Sequence, residues 1–203
     1  MEFVREALTY PWQSIVDFGC GYGAHVAAFA TAGRQATGVD ITVDPAALRD
    51  AAAGHYDLVP GSWPALVGSQ FDAGWSHHCL EHLRDPIGAL HAWGLLIRPG
   101  GWLFLVVPAY HPITAAGHIS MGWDTNKLAL NLAVAGWDCR AGRFRQGPRP
   151  NAYGENVYAI VQRPPVMTIA DTHVAGWGEV RLRLPESWDI RGNHVGPARE
   201  VNW

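Results

Sequence analysis

Two groups of residues in this 203-residue chain have types and spacings that could carry chemistry. The first is Ser14-Ile15-Val16-Asp17-Phe18-Gly19-Cys20-Gly21-Tyr22-Gly23. Three β-favouring residues lead into a turn where Gly19, Gly21 and Gly23 remove side chains beside a helix start, so a ligand can approach the backbone closely. Asp40 ends a second apolar run about 20 residues downstream, where a carboxylate can accept both hydroxyls of a ribose. That spacing alone would also suit a nicotinamide or flavin enzyme. Asp17 separates the cases, because an acid before the glycines opposes a pyrophosphate and suits a cationic ligand. The second group is His78, Glu81 and His82. If the chain is helical there, these positions project from one face, which is ligand spacing for a metal. A neutral imidazole near pH 7 could equally act as a general base.

Apolar runs of strand length alternate with longer helical patterns, the arrangement of a mainly parallel sheet covered by helices on both faces, an α/β fold. The pattern predicts strands at residues 14–18, 36–39, 55–59, 71–76, 102–107, near 137–144 and at 156–162. Helices are predicted at 22–32, 45–53, from about 80 or 86 to 96 and around 125–135, with Gly33 as a C-cap and Pro99-Gly100-Gly101 as a stop. From Arg163 onward the character changes to Pro164-Pro165, a predicted strand at 179–184 and an irregular tail with Trp188 and Trp203. The expected organisation is a doubly wound seven-stranded domain over 1–163 with a C-terminal appendage at 164–203. The appendage could cover the active site, pair with a second subunit in a homodimer, or pack along the sheet.

The chain is 48% hydrophobic and 16% charged, which fits a globular protein and excludes extended disorder. No apolar run approaches the ~20 residues of a membrane span, and the first ten residues lack the features of a signal peptide, so a cytoplasmic location is expected. Cys20, Cys79 and Cys139 form no CxxC pair and read as reduced, mostly buried thiols. A net charge of -3 gives no overall attraction to nucleic acid or anionic membrane. Arg140, Arg143, Arg145 and Arg149 are the local exception, either a solvated loop or a phosphate-binding patch. Of ten tryptophans, Trp63, Trp102 and Trp123 fall where a cofactor or substrate could rest on an aromatic face.

The glycine segment with Asp17 resembles motif I of class I S-adenosylmethionine-dependent methyltransferases. The resemblance extends through Gln70-Phe71-Asp72-Ala73-Gly74-Trp75-Ser76, Leu80-Glu81-His82-Leu83-Arg84-Asp85-Pro86 and Ile97-Arg98-Pro99-Gly100-Gly101-Trp102-Leu103, over roughly residues 14 to 163. It implies S-adenosylmethionine as cofactor, which carries an ammonium and a sulfonium and no phosphate. By the same resemblance Asp17 lies near the amino-acid end, Gly19 and Gly21 line the cofactor, and Asp40 and Ile41 hold its adenosine. Ser62 and Trp63 flank the adenine, and His77 lies near the methionine moiety. Ser62 replaces the acid common at its position. Hydride transfer on a dinucleotide fold fits Asp17 and the Pro99-Gly100-Gly101 turn less well.

In most relatives the Leu-Glu-His segment is structural. The metal-using branches, small-RNA 2′-O-methyltransferases and polyprenyl-hydroxyquinone O-methyltransferases, carry Glu-x-x-Glu-His, and here the first Glu is His78. The small-RNA enzymes take a further His after the fifth strand, where this chain offers His111 and His118, of which His118 is favoured. The resemblance thus implies a metal set of His78, Glu81, His82 and His118, suiting zinc, iron or manganese better than magnesium. Without metal, His78, His82 or His118 could act as base. The expected function is methyl transfer to a small-molecule hydroxyl. RNA ribose or N-methylation is the alternative, as is a non-catalytic subunit that binds cofactor to support a partner. Acceptor specificity is expected from residues 108–121, 142–154 and the tail.

Overall fold

Strands that are apolar on both faces need two covering layers, and both are present. The computed structural model describes residues 2–54, 56–109, 117–148, 154–170, 177–185 and 200–201. Its strands are β1 (Ser14–Phe18), β2 (Gln35–Asp40), β3 (Asp57–Pro60), β4 (Phe71–His77), β5 (Ile97–Pro108), β6 (Asp138–Pro148), β7 (Glu155–Gln162) and β8 (Glu200–Val201). They form one sheet in the order β3-β2-β1-β4-β5-β7-β6-β8. The first five strands are mutually parallel, and β7, β6 and β8 pair antiparallel. This is the expected doubly wound sheet, with the two-residue β8 added at its edge. The helices are α1 (Glu2–Ala7), α2 (Ala24–Thr31), α3 (Pro45–Gly54), α4 (Pro86–Leu96), α5 (Thr125–Ala135) and α6 (Trp177–Arg183).

Alternate strand residues face opposite sides. Ile15, Trp75, Phe104 and Val106 join Phe3 of α1 with Val26 and Phe29 of α2 in one core. Val16, Phe18, Leu103, Leu105 and Val107 join Leu90 and Trp93 of α4 with Leu128 and Leu132 of α5 in the other. Asp17 shares the parity of Ile15, so it is a carboxylate on a core-facing position of the α1/α2 side. Asp72 has a structural role: its Oδ2 accepts the Gln13 and Ser14 N–H groups at 2.8 and 2.9 Å, and its Oδ1 pairs with Arg98 at 3.0 Å.

Capping explains the helix limits. Asp85 accepts the Gly88 N–H at 2.8 Å and Pro86 follows it, so α4 starts at 86 and not at 80. Asp124 accepts the Lys127 N–H at 2.7 Å, and Gly136, at φ 105, ends α5.

The C-terminal part departs from the expectation. Residues 179–184, predicted as a strand, lie in or beside α6: buried Val180 and Leu184 are four apart, and Glu179 pairs with Arg183 at the same spacing. A short apolar run does not tell the two periods apart, and the i, i+4 pattern wins here. Met167, Ala170, Val180 and Leu184 belong to the α4/α5 core, and Ala170 N–H donates to Val134 O at 2.8 Å. Trp188 and Trp203 lie outside the described residues. No helix among the described residues is long and apolar enough to cross a membrane.

Candidate active site

Phe18, Asp40, Pro60 and His77 are the last residues of four parallel strands and therefore share one edge of the sheet. The strand order reverses between β1 and β4, and such a switch point opens a crevice at the carboxyl ends. The glycine loop sits there. Gly19 and Cys20 both donate to Val39 O, at 2.8 and 3.2 Å, and Gly19, Gly21 and Gly23 have φ of 78, 52 and 77. A Cβ at Gly19 would lie 2.4 Å from Cys79 Sγ, whereas one at Gly21 would meet nothing within 4 Å. The backbone at Gly21 is thus open to a ligand.

Asp40 Oδ2 accepts the Gly21 N–H at 2.9 Å, and Oδ1 accepts the Thr42 N–H at 2.9 Å. Oδ1 also accepts the Thr42 hydroxyl at 3.2 Å, so the open lone pair is on Oδ2. Ile41 is 78% exposed beside it. Gly61 N–H donates to Asp40 O at 2.8 Å and draws exposed Ser62 and half-buried Trp63 to the same edge. Trp63 is anchored edge-on against Trp93, with centroids 5.8 Å apart. Trp102 packs against Tyr10 at 4.8 Å, and Trp123 is fully buried with its N–H on Ser120 O. Of the three candidate tryptophans, the structure puts Trp63 at the cleft and gives the others packing roles.

Asp17 is 1% exposed, and neither carboxylate oxygen has a hydrogen-bond partner among the described residues. Burial, with the nearby Asp40 charge, pushes its pKa well above the usual carboxylate range. Opposite it stands His25, which the sequence reasoning missed. His25 Nδ1 is 4.0 Å from Asp17 Oδ2, and its ring lies 5.1 Å from Trp75 and 4.9 Å from His77. His77 in turn stacks on His78 at 4.5 Å. Burial lowers the His25 pKa to about 4 and the His77 pKa to about 3, so both rings are neutral at pH 7. A signal for His25 was available: it falls in the first turn of the helix after the glycines, where side chains lean back over the loop.

The second group is assembled differently from the expectation. Residues 78–82 do not form one helical face. His78 has φ 57, the one positive value at a non-glycine among the described residues, and its N–H donates to Val106 O at 2.9 Å. Leu80–His82 is a separate 3₁₀ turn, because Pro86 disfavours helix at Asp85. Backbone bonding gathers the cluster. The N–H groups of Ile119 and Ser120 both donate to Glu81 O, at 2.8 and 2.9 Å, pinning the segment after β5 onto the turn.

As a result one ligand atom each of Glu81, His82 and His118 lies within 4.8 Å of the others. His118 Nε2 is 4.0 Å from Glu81 Oε1, and the His82 and His118 rings are 4.8 Å apart. His82 Nδ1 donates to Gly117 O at 2.9 Å, which leaves Nε2 as its lone-pair nitrogen. His78 stands beside this set: Nδ1 is 3.4 Å from Glu81 Oε1, and Nε2 is 3.0 Å from Asn156 Oδ1. Asn156, 3% exposed, was also missed, and its Nδ2 donates to Tyr158 Oη at 3.3 Å. No local pattern marks it, since it arrives only through the pairing of Pro108 with Asn156 between β5 and β7. His111 lies outside the described residues.

The remaining expectations resolve simply. All three cysteines are free, and burial pushes the Cys20 and Cys79 thiols up to about 12. Arg140 pairs with Asp138, Arg143 with Glu6 and Tyr10, and Arg145 with Glu6 and the Tyr158 ring. These arginines tie β6 to α1 and to its own acids, which opposes a single-sign phosphate patch; Arg149 lies outside the described residues.

A model of the methyltransferase-domain family matches residues 5–146. The ubiquinone biosynthesis O-methyltransferase of Hydrogenovibrio crunogenus is 29% identical over 111 residues, covering 51% of this chain and 46% of that protein. The enzyme of the same name from Bordetella pertussis is 34% identical over 97 residues, covering 44% and 40%. The chain therefore spans just under half the length of these curated relatives. Among solved structures, 1,6-didemethyltoxoflavin-N1-methyltransferase of Burkholderia thailandensis, with bound 1,6-didemethyltoxoflavin and S-adenosylhomocysteine, matches with a TM-score of 0.67 at 23% identity. That match covers 80% of this chain and 76% of that one. With the strand order, the switch-point glycine loop and a family match over most of its length, the chain belongs to the methyltransferase-domain family, as a class I S-adenosylmethionine-dependent methyltransferase.

Proposed function

We propose that the protein transfers the methyl group of S-adenosylmethionine to a hydroxyl of a small molecule, assisted by a divalent metal on Glu81, His82 and His118. The observation that carries this reading is the convergence of those three side chains within 4.8 Å, close to the strand ends that bear Asp17 and Asp40.

The residues present fit the cofactor. Asp17 offers a buried carboxylate without a partner to an ammonium. Asp40 offers the remaining lone pair of Oδ2, and a lone pair of Oδ1 once the Thr42 hydroxyl turns aside, to the ribose hydroxyls, and open space beside Gly21 admits the cofactor between the two carboxylates. Ile41 and Trp63 supply apolar surface for the adenine, with exposed Ser62 at its edge. His77 walls the methionine side.

The donor set also fits a metal. Two imidazoles and a carboxylate suit zinc, iron or manganese. The His82 Nδ1 bond to Gly117 O is the orienting contact that a ligating imidazole needs. A metal bound there would act as a Lewis acid that lowers the pKa of the acceptor hydroxyl. The chain itself excludes water through buried Glu81 and fixes the approach of the acceptor through the segment from Gly117 onward. Without a metal, the free lone pair of His82 Nε2 would take the departing proton. His78, with both ring nitrogens turned to protein groups, serves as a support for Glu81.

Hydroxyl is favoured over nitrogen as the acceptor because the donor cluster has the character of a Lewis-acid site, which activates an ionisable oxygen. The relatives' names point the same way for those proteins. The internally paired arginines weigh against RNA. The test is elemental analysis of wild type against His118→Ala and Glu81→Gln, together with S-adenosylhomocysteine production from a panel of phenols and aliphatic alcohols with and without chelator. Metal retained by wild type alone and chelator-sensitive turnover are expected. Negligible metal in every form, with turnover indifferent to chelator, would remove the metal from the proposal.

A further inference from the structure

We propose that His25, with Asp17 and the N-terminus of α2, forms a two-pole clamp for the zwitterionic amino-acid end of the cofactor. Asp17 accepts hydrogen bonds from the ammonium, and His25 donates one to the carboxylate. The inference rests on S-adenosylmethionine as cofactor and adds a residue that neither the motif nor the family match assigns.

The first argument is geometric. His25 Nδ1 and Asp17 Oδ2 are 4.0 Å apart, too far for a hydrogen bond. They stand close without bonding to one another. Both Asp17 oxygens are buried without a hydrogen-bond partner among the described residues, and leaving a carboxylate so placed is costly unless a ligand completes it. Trp75 and His77 hold the His25 ring on its other sides, at 5.1 and 4.9 Å.

The second argument is the helix. α2 has eight residues, its N-cap is Gly23 without a side-chain cap, and no acid lies in its first turn. Its first N–H groups therefore keep their partial positive charge for an anion. His25 lies in that first turn and leans toward the N-terminus. A negative pole at Asp17 and a positive pole at the helix start with the His25 N–H stand opposite each other. An inorganic phosphate would be repelled by Asp17, and a simple amine would leave the helix pole unused. An α-amino acid satisfies both. The His25 ring, neutral at pH 7, donates from a single nitrogen and needs no charge to do so.

Calorimetric binding of three ligands tests the clamp: S-adenosylhomocysteine, its decarboxylated amine S-adenosyl-3-thiopropylamine, and 5′-methylthioadenosine, which lacks the amino-acid end. His25→Leu is expected to weaken S-adenosylhomocysteine about tenfold, the worth of one hydrogen bond to a charged group. It should leave the other two ligands unchanged, and His25→Gln, which keeps an N–H donor, should recover most of the loss. Asp17→Asn should weaken both amine-bearing ligands and spare 5′-methylthioadenosine. Equal affinity of His25→Leu and wild type for S-adenosylhomocysteine, or an equal loss for all three ligands, would overturn the clamp. Wild type that binds neither S-adenosylhomocysteine nor 5′-methylthioadenosine would overturn the cofactor reading itself. Wild type that binds both equally would overturn the clamp alone.

Discussion

Asp40 accepts the backbone N–H of Gly21 at 2.9 Å, so the carboxylate proposed to hold the ribose also holds the glycine loop in shape. One side chain thus couples loop geometry to cofactor affinity. Asp40→Ala should weaken S-adenosylhomocysteine about 100-fold, for two charge-assisted hydrogen bonds. It should also lower the melting temperature, because the Gly21 and Thr42 N–H groups lose their acceptor. Asp40→Asn, with one acceptor oxygen left, should fall between the two. Unchanged affinity in Asp40→Ala, read by calorimetry, would separate this residue from the cofactor.

The glycines of the loop differ in what they protect. At Gly19 a methyl group would meet Cys79, with Cβ 2.6 Å away, at a left-handed φ of 78. Gly19→Ala should cost about 3 kcal/mol of stability through strain and overpacking together. At Gly21 the methyl enters open space, so Gly21→Ala should cost only about 1 kcal/mol. Its larger effect should be on S-adenosylhomocysteine, whose approach the methyl obstructs. Denaturant melts and calorimetry on the two variants should therefore rank them in opposite orders.

The glycine loop, the position of Asp40 and the succession of strands and helices were legible in the sequence because their determinants are local: a turn, a spacing and an alternation of apolar runs. Of the four residues expected in the histidine cluster, Glu81, His82 and His118 converge, and how they do so was not legible. Glu81, His82 and His118 come together through backbone bonds from Ile119 and Ser120 to Glu81 O, which no spacing rule encodes, while His78 leaves the helical face through its φ of 57. Asn156 was invisible because antiparallel register brings it in from far along the chain. The misassigned α6 shows the same limit, since its helical period spans too few residues to outvote β-favouring types.

Asp17 makes stability depend on pH in a direction opposite to that of an ordinary ion-paired acid. Its folded pKa is raised by burial and by Asp40, so between the unfolded value of 3.8 and the raised one the folded state holds the extra proton. The associated stability is present below about 3.8 and is lost as pH rises. His25 and His77, lowered to about 4 and about 3, act in the other sense: their contribution is complete above 6.5 and is lost as pH falls. Ligand-free Asp17→Asn should therefore melt higher than wild type at pH 7 to 8, with the difference closing below pH 4. Saturating S-adenosylhomocysteine should narrow the gap at neutral pH, because its ammonium supplies the missing partner. A gap that is independent of both pH and ligand would refute this account.

His78 bridges Asn156 and Glu81, and this defines a separate expectation for the metal. Nδ1 at 3.4 Å from Glu81 and Nε2 at 3.0 Å from Asn156 fit the proposed role of a support for a ligand. Removing a ligand and removing a support should then differ in degree. His82→Ala should abolish binding of zinc or manganese, because one of three donor side chains is gone. His78→Ala and Asn156→Leu should each weaken it by about 10- to 100-fold, the usual cost of losing an orienting partner. The double variant should be little worse than either single one, since both changes release the same Glu81 carboxylate. Competition for zinc against a chromophoric chelator reads all four forms on one scale, with S-adenosylhomocysteine affinity as the check on folding. Complete loss of metal in His78→Ala with none in Asn156→Leu would instead return His78 to the coordination sphere.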